Sequence, residues 1–582
     1  MKNQEIATML REIADFLEIQ EVEYKPRAYR TAARNVESLS DDIEDIHERG
    51  ELEEIEGVGE SIGEKIAEYL ETGELEYYED LKADLPVDIE AITSVEGVGP
   101  QTAKKLYVEL DVRTLDDLES AAERGEIADL EGFGEKSEQN ILDHVERAKA
   151  GQERMLLGRA SPIAHDIETR LHDADAFDRV DIVGSFRRRR PTVGDIDILS
   201  TASDPETAMD VFCSHDDVKE VLSRGDTKSS VVVSGDVQMD LRIVDEAAYG
   251  SALVYFTGSK DHNITLRNRA IDRGWKLNEY GLYDVSDAGE AATDEQVGER
   301  LASETEAEIY ETLDLDWIPP ELREDTGEIA AAADGALPDL VEEAAIRGDL
   351  HTHTEWSDGR YSIQEMAEAA ADRGYAFHAV TDHAAGAGII ESIGLSDADL
   401  REQADAIAAV QDTVDIELLH GVETNIEADG SLSTSDDVLE ELDVVVASPH
   451  SALDQDVDTA TERLCRAIEH PAVDIVGHPT GRMINNRAGL PVDFAAVADC
   501  AAANDTALEV NANPLRLDLH GEAVRTVVEA GGTIAIDTDA HGPGAFDTVR
   551  FGVRTARRGW AEADNVLNTW DIDRLRSFLS RE

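Results

Sequence analysis

Three acidic residues in the middle of the chain have the types and spacing to hold divalent cations. Asp195 and Asp197 stand two apart in GSFRRRRPTVGDIDIL (184–199), alternating with Ile196 and Ile198. On a strand the two carboxylates share one face and the isoleucines the other. Two carboxylates so placed repel each other unless a cation lies between them. Further on, VQMDLRIV (237–244) turns Val237, Met239, Leu241 and Ile243 to one face and leaves Asp240 on the opposite one. Three such carboxylates suit two Mg²⁺ ions, which take oxygen ligands and share phosphate oxygens with a substrate. The implied chemistry is phosphoryl transfer, with one ion acidifying an attacking hydroxyl and the other neutralising a polyphosphate leaving group. The Gly184-Ser185 turn offers backbone N–H groups and a hydroxyl to phosphates, and Arg188 adds a fork that matches them.

A second set is built from imidazoles. The fragments DLHTHTEWSDG (349–359), TDH (381–383), GVE (421–423), SPH (448–450), GHPTGR (477–482) and TDAH (538–541) nearly all follow an apolar run directly. They supply His351, His353, Asp358, His383, Glu423, His450, His478, Asp539 and His541. Six imidazoles and three carboxylates without a thiolate suit Zn²⁺, Mn²⁺ or Fe²⁺ better than Mg²⁺ alone. His378, His420, His470 and His520 are expected to be ordinary, and Arg482 to bind a substrate phosphate or form a surface salt bridge.

The elements that must position these residues differ along the chain. Residues 1–150 read as helical, with Ile6, Met9, Leu10, Ile13, Phe16 and Leu17 at three- and four-residue spacing. A unit of an apolar residue, Glu, Gly-x-Gly and a helix recurs at 52–70, 92–110 and 127–145 and carries Gly57 and Gly59, Gly97 and Gly99, and Gly132 and Gly134. Residues 151–320 mix strands such as VDIVGSF with helices. Roughly 321–346, acidic and Ala-rich with Pro338, reads as a linker. From Gly348 onward short apolar strands alternate with helices, which implies a parallel sheet and, with so many units, a barrel. The imidazole set would then ring one rim, where such barrels keep their sites.

The chain has 582 residues and a net charge of −76, and 12 of its 52 basic residues are Lys. Two accounts compete: an acidic protein that avoids polyanions, or one adapted to molar salt, where repulsion is screened within roughly 3 Å at 1 M. The acidity runs through the whole chain, which favours the second. Cys213, Cys465 and Cys500 are too few and too scattered for a disulfide framework or a thiolate zinc site. The N-terminus lacks a signal-type apolar core and no apolar run approaches ~20 residues, so a cytoplasmic protein with no membrane span is expected.

The two carboxylate strands resemble the nucleotidyltransferase palm of family X DNA polymerases, and YFTGSKDHNITLRNRAIDRGWKLNEYGLY (255–283) is similar to their nucleotide-binding segment. The resemblance implies that Tyr255 and Phe256 pack against the sugar, the Gly258-Ser259 turn shapes the pocket, Asn263 touches the incoming base and Arg267 senses the templating pair. Lys260 departs from the Asp that animal relatives carry. The Gly-x-Gly units resemble helix-hairpin-helix motifs, whose turn lets backbone N–H groups approach a DNA phosphate. Lys65 stands where some members carry a Schiff-base lysine, though Ser61 replaces a supporting Lys. Residues 347–575 resemble the PHP domain, whose members bind up to three metals and hydrolyse phosphoesters with a metal-bound hydroxide. Asp358 falls where some relatives place a His nearby.

The expected organisation is a multidomain α and α/β protein. It comprises a helical 8-kDa-like domain with helix-hairpin-helix (1–85), a fingers-like helical domain with further hairpins (86–150), a mixed α/β palm (151–250), a nucleotide-selection, thumb-like domain (251–320), a linker (321–346) and a distorted PHP β/α barrel (347–582). Such a chain would be a monomeric gap-filling DNA polymerase acting on gapped or primer-template DNA and dNTPs with two Mg²⁺. It would be coupled to a 3′–5′ exonuclease or 3′-end phosphoesterase using Zn²⁺ or Mn²⁺. The alternative is a PHP nuclease or small-molecule phosphatase whose palm binds DNA without polymerising.

Overall fold

The computed structural model describes residues 154–580 except 216, 235–236, 288–295 and 387–393, and, before 154, five helices with scattered positions around them. Those helices are Lys25–Glu37, Ile43–Arg49, Glu60–Thr72, Pro100–Leu110 and Leu115–Glu123. Gly97, Gly99 and Gly132 lie outside the described residues. Two compact units emerge, one formed by 1–154 with 264–272 and the other by 155–263 with 273–582.

The first unit holds two small cores. Ile6, Met9, Leu10, Ile13, Phe16 and Leu17 are all buried in one with Ile62 and Ile66, while Val95, Leu106, Leu118 and Ile141 belong to the other. The helical spacing therefore does mark the buried face. Gly57 has φ +84°, and a Cβ there would lie 2.9 Å from the Thr31 side chain, so only glycine fits. Gly59 and Gly134 face open space.

In the second unit a two-stranded ribbon, β1 (Met155–Leu156) with β3 (Thr192–Val193), flanks a five-stranded sheet. The sheet contains β2 (Arg179–Ile182), β4 (Ile196–Thr201), β5 (Val218–Arg224), β6 (Lys228–Val233) and β7 (Val237–Ile243) in the order β2-β4-β7-β6-β5. Only β4 and β7 run parallel. Val237, Met239, Leu241 and Ile243 join the core shared with helices Leu157–Asp173 and Pro205–Cys213. Each such side chain contributes about 1.5–3 kcal/mol when fully buried, and a one-residue slip would expose all four and bury Asp240. That penalty fixes the register on which the carboxylates depend. Helix Tyr249–Thr257 covers part of the opposite face through Tyr249, Ala252 and Leu253, which pack with Val183 and Leu199. A three-stranded antiparallel sheet, β8 (Trp275–Asn278), β9 (Gly281–Asp284) and β10 (Glu299–Ala302), follows.

The segment 321–346 is not the linker expected from its composition. It forms helix Glu328–Ala333 and buries Arg323, Glu328 and Ile329. Arg323 donates to Glu306 at 2.6 Å and to the Ile318 carbonyl at 2.9 Å, and Glu306 also receives a bidentate Arg187 at 2.7 and 2.9 Å. Burial alone would raise the Glu306 carboxyl, but Arg323 and Arg187 outweigh it and hold it at about 2. Breaking such a buried pair costs on the order of 3–5 kcal/mol. Glu328 meets His262 at 2.6 Å, Glu321 pairs with Arg557 and Glu324 with Arg558. Charge complementarity, invisible to hydropathy, turns the segment into a packed strap.

The C-terminal sheet comprises β11 (Gly348–Asp349), β12 (Phe377–Val380), β13 (Glu417–Asn425), β14 (Val444–Ser448), β15 (Ile475–Val476), β16 (Ala507–Asn511) and β17 (Ile534–Asp537), all parallel and in chain order. A parallel bridge between Thr352 and Ala540 brings the first and last strands together and nearly closes the barrel. One apolar cluster, including Leu350, Phe377, Leu419, Val444, Val446, Ile475 and Ala535, is shared with Trp570 and Leu575 at the chain's end. A second packs strands such as Val445, Val476, Leu508 and Ile536 against the surrounding helices. Among the described residues no helix is long and apolar enough to cross a membrane.

Candidate metal centres

The first centre follows from strand register. Asp197 on β4 sits directly across from Asp240 on β7, and with Asp195 just before β4 their ligand oxygens lie within 4.8 Å of one another. The three are not equivalent. Burial first, then the charges of Asp195 and Asp240, push Asp197 up to about 7. Asp240 is held below the usual carboxylate range: burial opposes this, but hydrogen bonds from Lys228 at 2.8 Å, Gln238 at 3.0 Å and Ser230 prevail. A cluster that drives one member toward neutrality calls for positive charge, and a divalent cation supplies it without adding a proton. Lys228 was not singled out from sequence. Its signal is a basic residue at the head of the apolar strand KSSVVV.

Gly184 begins a four-residue helix, Gly184–Arg187, at φ +63°. A Cβ there would lie 2.2 Å from Asp197 Oδ2, so the absence of a side chain is what lets the turn touch the carboxylate. Ser185 follows it and is half-buried. Arg188 differs from expectation: its Nε meets Glu324 at 3.0 Å and its Nη1 donates to the Thr257 carbonyl at 2.8 Å. Two of its donor positions are thus engaged by the strap and by the end of helix Tyr249–Thr257. Both Arg188 and Glu324 come from elements whose meeting no local sequence pattern records.

A cavity of about 100 Å³ opens beside Asp197 and Asp240, lined also by Lys228, Arg242 and Phe256. The Arg242 guanidinium lies 4.7 Å from the Phe256 ring centre, and Phe256 meets Tyr255 edge-on at 5.0 Å. Tyr255 is 41% exposed, unusual for a large aromatic in an otherwise buried helix. Gly258 caps that helix. Asn263 Nδ2 donates to the Tyr255 carbonyl at 2.7 Å, so in this structure its amide braces the turn. Arg267 and Lys260 are exposed on helix Lys260–Ile271. In the first unit, Lys65 Nζ donates to the Ser61 carbonyl at 3.1 Å and Ser61 Oγ at 3.2 Å and lies 4.8 Å from the Tyr77 ring centre.

The second centre gathers every residue of the imidazole set at the strand ends. Glu423, fully buried on β13, is its hub. Its Oε1 lies 3.0 Å from His478, 3.2 Å from His450 and 3.4 Å from His351, and its Oε2 is 2.5 Å from His383 and 3.6 Å from His353. Asp539 lies 3.0 Å from His353, while Asp358 lies 3.2 Å from His541 and 3.6 Å from His383. Three groups meet ligand spacing: His353, Asp358, His383 and His541; His351, His353 and Asp539; and His383, Glu423 and His450. His478 falls outside these groups but keeps its contact with Glu423.

The donor chemistry fits metals. Both ring nitrogens of His353, Nε2 of His351, Nδ1 of His383 and both oxygens of Glu423 are buried and, though close to one another, are not aligned to hydrogen-bond, a concentration of unsatisfied polar atoms that proteins otherwise avoid. Against the effect of burial, Glu423 and Asp358 raise His383 to about 10, whereas burial and neighbouring His383 push His353 down to about 4. His478 and Asp539 sit at φ +26° and +53°, a strained backbone spent at ligand positions.

Sequence reasoning missed the layer behind the ligands. Glu509 accepts a hydrogen bond from His351 Nδ1 at 2.6 Å and another from the His478 backbone N–H, fixing how His351 presents Nε2. Asn425 faces His450 Nδ1 at 2.7 Å, and Asn511 donates to Asp539 at 3.2 Å. A lone carboxylate inside the apolar run ALEVNAN was the available signal for Glu509. Among the described residues Arg482 forms no salt bridge. It donates to the carbonyls of Arg516 at 2.8 Å and Leu517 at 2.5 Å and pins that loop.

Comparison with known proteins places these parts in context. Residues 1–75 match the family described as helix-hairpin-helix domain, 49–111 and 89–147 the SAM-like helix-hairpin-helix tandem, 252–324 the DNA polymerase beta thumb and 349–513 the PHP domain. The chain is 36% identical over 585 residues to the DNA polymerase/3′-5′ exonuclease PolX of Bacillus subtilis (strain 168), covering 100% of both. It is 25% identical over 343 residues to DNA polymerase lambda of Rattus norvegicus, covering 55% of this chain and 56% of that one. A probable phosphatase of Thermoanaerobacter sp. (strain X514) is 30% identical over 250 residues, 40% of this chain and 94% of its own.

Proposed function

Because the chain belongs to the family X DNA polymerases that carry a PHP domain, we propose that it fills short gaps in DNA and trims the 3′ ends it extends. It is a DNA polymerase with a 3′–5′ exonuclease, and both halves are metal-dependent. The observation that carries the polymerase reading is the in-register pair Asp197 and Asp240 with Asp195 beside them.

Asp195, Asp197 and Asp240 would hold two Mg²⁺. Bound there, the ions supply an acidified 3′-hydroxyl and a neutralised triphosphate. Lys228 keeps Asp240 ionised, and the bare backbone of Gly184 leaves Asp197 room to turn toward a ligand. Tyr255 and Phe256 present an aromatic edge beside the cavity, suited to the sugar of an incoming dNTP. In the barrel the three ligand groups would hold up to three Zn²⁺ or Mn²⁺, which supply a hydroxide nucleophile when bound. Glu423, common to five imidazole contacts, sets the spacing, and Glu509 orients His351.

Gly184→Ala is expected to lower dNTP incorporation by about 10²-fold, because a displacement of the order of 1 Å at a reacting group costs that much. Exonuclease rates on single-stranded DNA should be unchanged. Unaltered incorporation would mean that the turn does not position Asp197.

The direct test is product analysis on gapped and 3′-mismatched DNA with Mg²⁺ or Mn²⁺ across a potassium series. Extension limited to the gap, preceded by removal of mismatched 3′ nucleotides, is expected. A second reading has its own support, since the barrel is similar to a probable phosphatase over most of that protein's length. Turnover of small phosphomonoesters with no action on DNA 3′ ends would establish it instead.

A further inference from the structure

In a chain with a net charge of −76, arginines gather where the palm meets the barrel. Four are consecutive, 187–190, and helix Val549–Arg558 brings four more. Arg558 Nη1 donates to the Arg188 carbonyl at 2.8 Å, which ties the helix to the turn. Phe186 and Phe551 are buried in one shared core between them. Five of the eight cations are neutralised: Arg187 by Glu306, Arg188, Arg190 and Arg558 by Glu324, and Arg557 by Glu321 and Glu342.

Arg189, Arg550 and Arg554 are the exceptions. Among the described residues none of the three forms an ion pair or a side-chain hydrogen bond. Each lies against a ring instead, Arg189 at 5.6 Å from Phe186, and Arg550 and Arg554 at 5.0 and 5.6 Å from Phe551. Arg189 and Arg554 are half-buried. Burial, with the charges of Arg189 and Arg550 added, pushes Arg554 down to about 10, and burial lowers Arg189 too. Glu168, Glu321 and Glu343 act on the pair only as distant charges, and Glu321 already bonds Arg557 at 2.9 Å. Partly desolvated guanidiniums that repel one another are unfavourable unless an anion completes the set, and their planar forks match phosphate oxygens.

The chain joins this cluster to elements of both centres. Arg189 is five residues beyond Gly184, which touches Asp197, and Arg550 is nine residues beyond His541. Arg550 and Arg554 stand one helical turn apart, about 5–6 Å between Cβ atoms, a spread that suits successive phosphates better than a single one. We propose that Arg189, Arg550 and Arg554 form a phosphate-binding site at the palm–barrel junction whose ligand is the sugar-phosphate backbone of the DNA strand. The site rests on the DNA reading above and would hold the strand independently of sequence.

The test compares the full chain with its R189Q/R550Q/R554Q variant, measuring binding of phosphorothioate-protected single-stranded and gapped DNA across a potassium chloride series. The variant should bind roughly tenfold or more weakly at low salt, with the log–log salt slope shallower by about two to three. Its KM for dNTPs and its hydrolysis of a small phosphodiester should match the parent, which also verifies folding. The exposed R550Q variant alone should make the slope shallower by about one. Identical affinity and slope in both variants would overturn the site while leaving the polymerase intact. A raised KM for dNTPs with unchanged DNA binding would overturn the DNA assignment in favour of free polyphosphate. A parent chain that neither binds DNA nor incorporates dNTPs would remove the underlying reading as well.

Discussion

Asp197→Ala will abolish gap filling, by about 10³-fold or more in incorporation rate, while 3′-end hydrolysis continues at the parent rate. The size follows from what the carboxylate does: stabilisation of transferring charge by a bound ion is worth several kcal/mol, and each 1.36 kcal/mol is a factor of ten. Asp197 is less neutralised by its surroundings than Asp240. Burial and its two carboxylate neighbours push it up to about 7, and Asp240 already has Lys228. A cation therefore gains more from Asp197 than from Asp240, and alanine removes the carboxylate that faces Asp240 across the strand pair. The variant should remain folded, because losing a buried carboxylate that its neighbours repel relieves strain. The check is single-nucleotide incorporation on gapped DNA beside exonuclease assays on the same preparation. Incorporation within tenfold of the parent would dismiss the palm assignment.

Glu423→Gln will have the complementary effect. Hydrolysis of DNA 3′ ends should fall by about 10³-fold, with polymerisation unaffected. Gln preserves the shape of the side chain but replaces one anionic oxygen with an N–H₂ donor, so it cannot serve cations on both sides. Glu423 stands within 3.6 Å of five imidazoles, which makes it the ligand whose charge the greatest number of neighbours share. Elemental analysis should show at least one metal ion fewer per chain than the parent. Full metal content together with full exonuclease activity would show that Glu423 is a structural carboxylate and not a bridge.

The sequence made the candidate ligands of both centres legible because their chemistry is written in local periodicity. Asp195 and Asp197 alternate with isoleucine, and Asp240 alternates with a four-residue apolar stripe, so strand geometry alone assigns faces. In the barrel nearly every ligand-bearing fragment follows an apolar run, and a parallel sheet collects the ends of such runs on one rim. The bare Gly184 is of the same kind, since its place before a strand bearing acids marks a close approach.

What sequence spacing could not express was charge pairing between distant segments. The strap 321–346 was misjudged because acidity and alanine content were taken as signs of solvation, whereas Glu321, Glu324 and Glu328 meet Arg557, Arg558 and His262 from elements up to 236 residues away. The same cause hid the partners of Arg188, the support of Glu509 for His351, and the burial of Arg482 against backbone carbonyls. Apolar periodicity is a property of one element and is set by its own backbone repeat. A buried ion pair is a property of two elements, and its existence depends on which surfaces the fold presses together. The sequence by itself determined which residues could bind metals and on which face of which strand they lie. Only the tertiary structure decided which carboxylates are neutralised, which arginines have no carboxylate partner among the described residues, and hence where charge remains for a substrate.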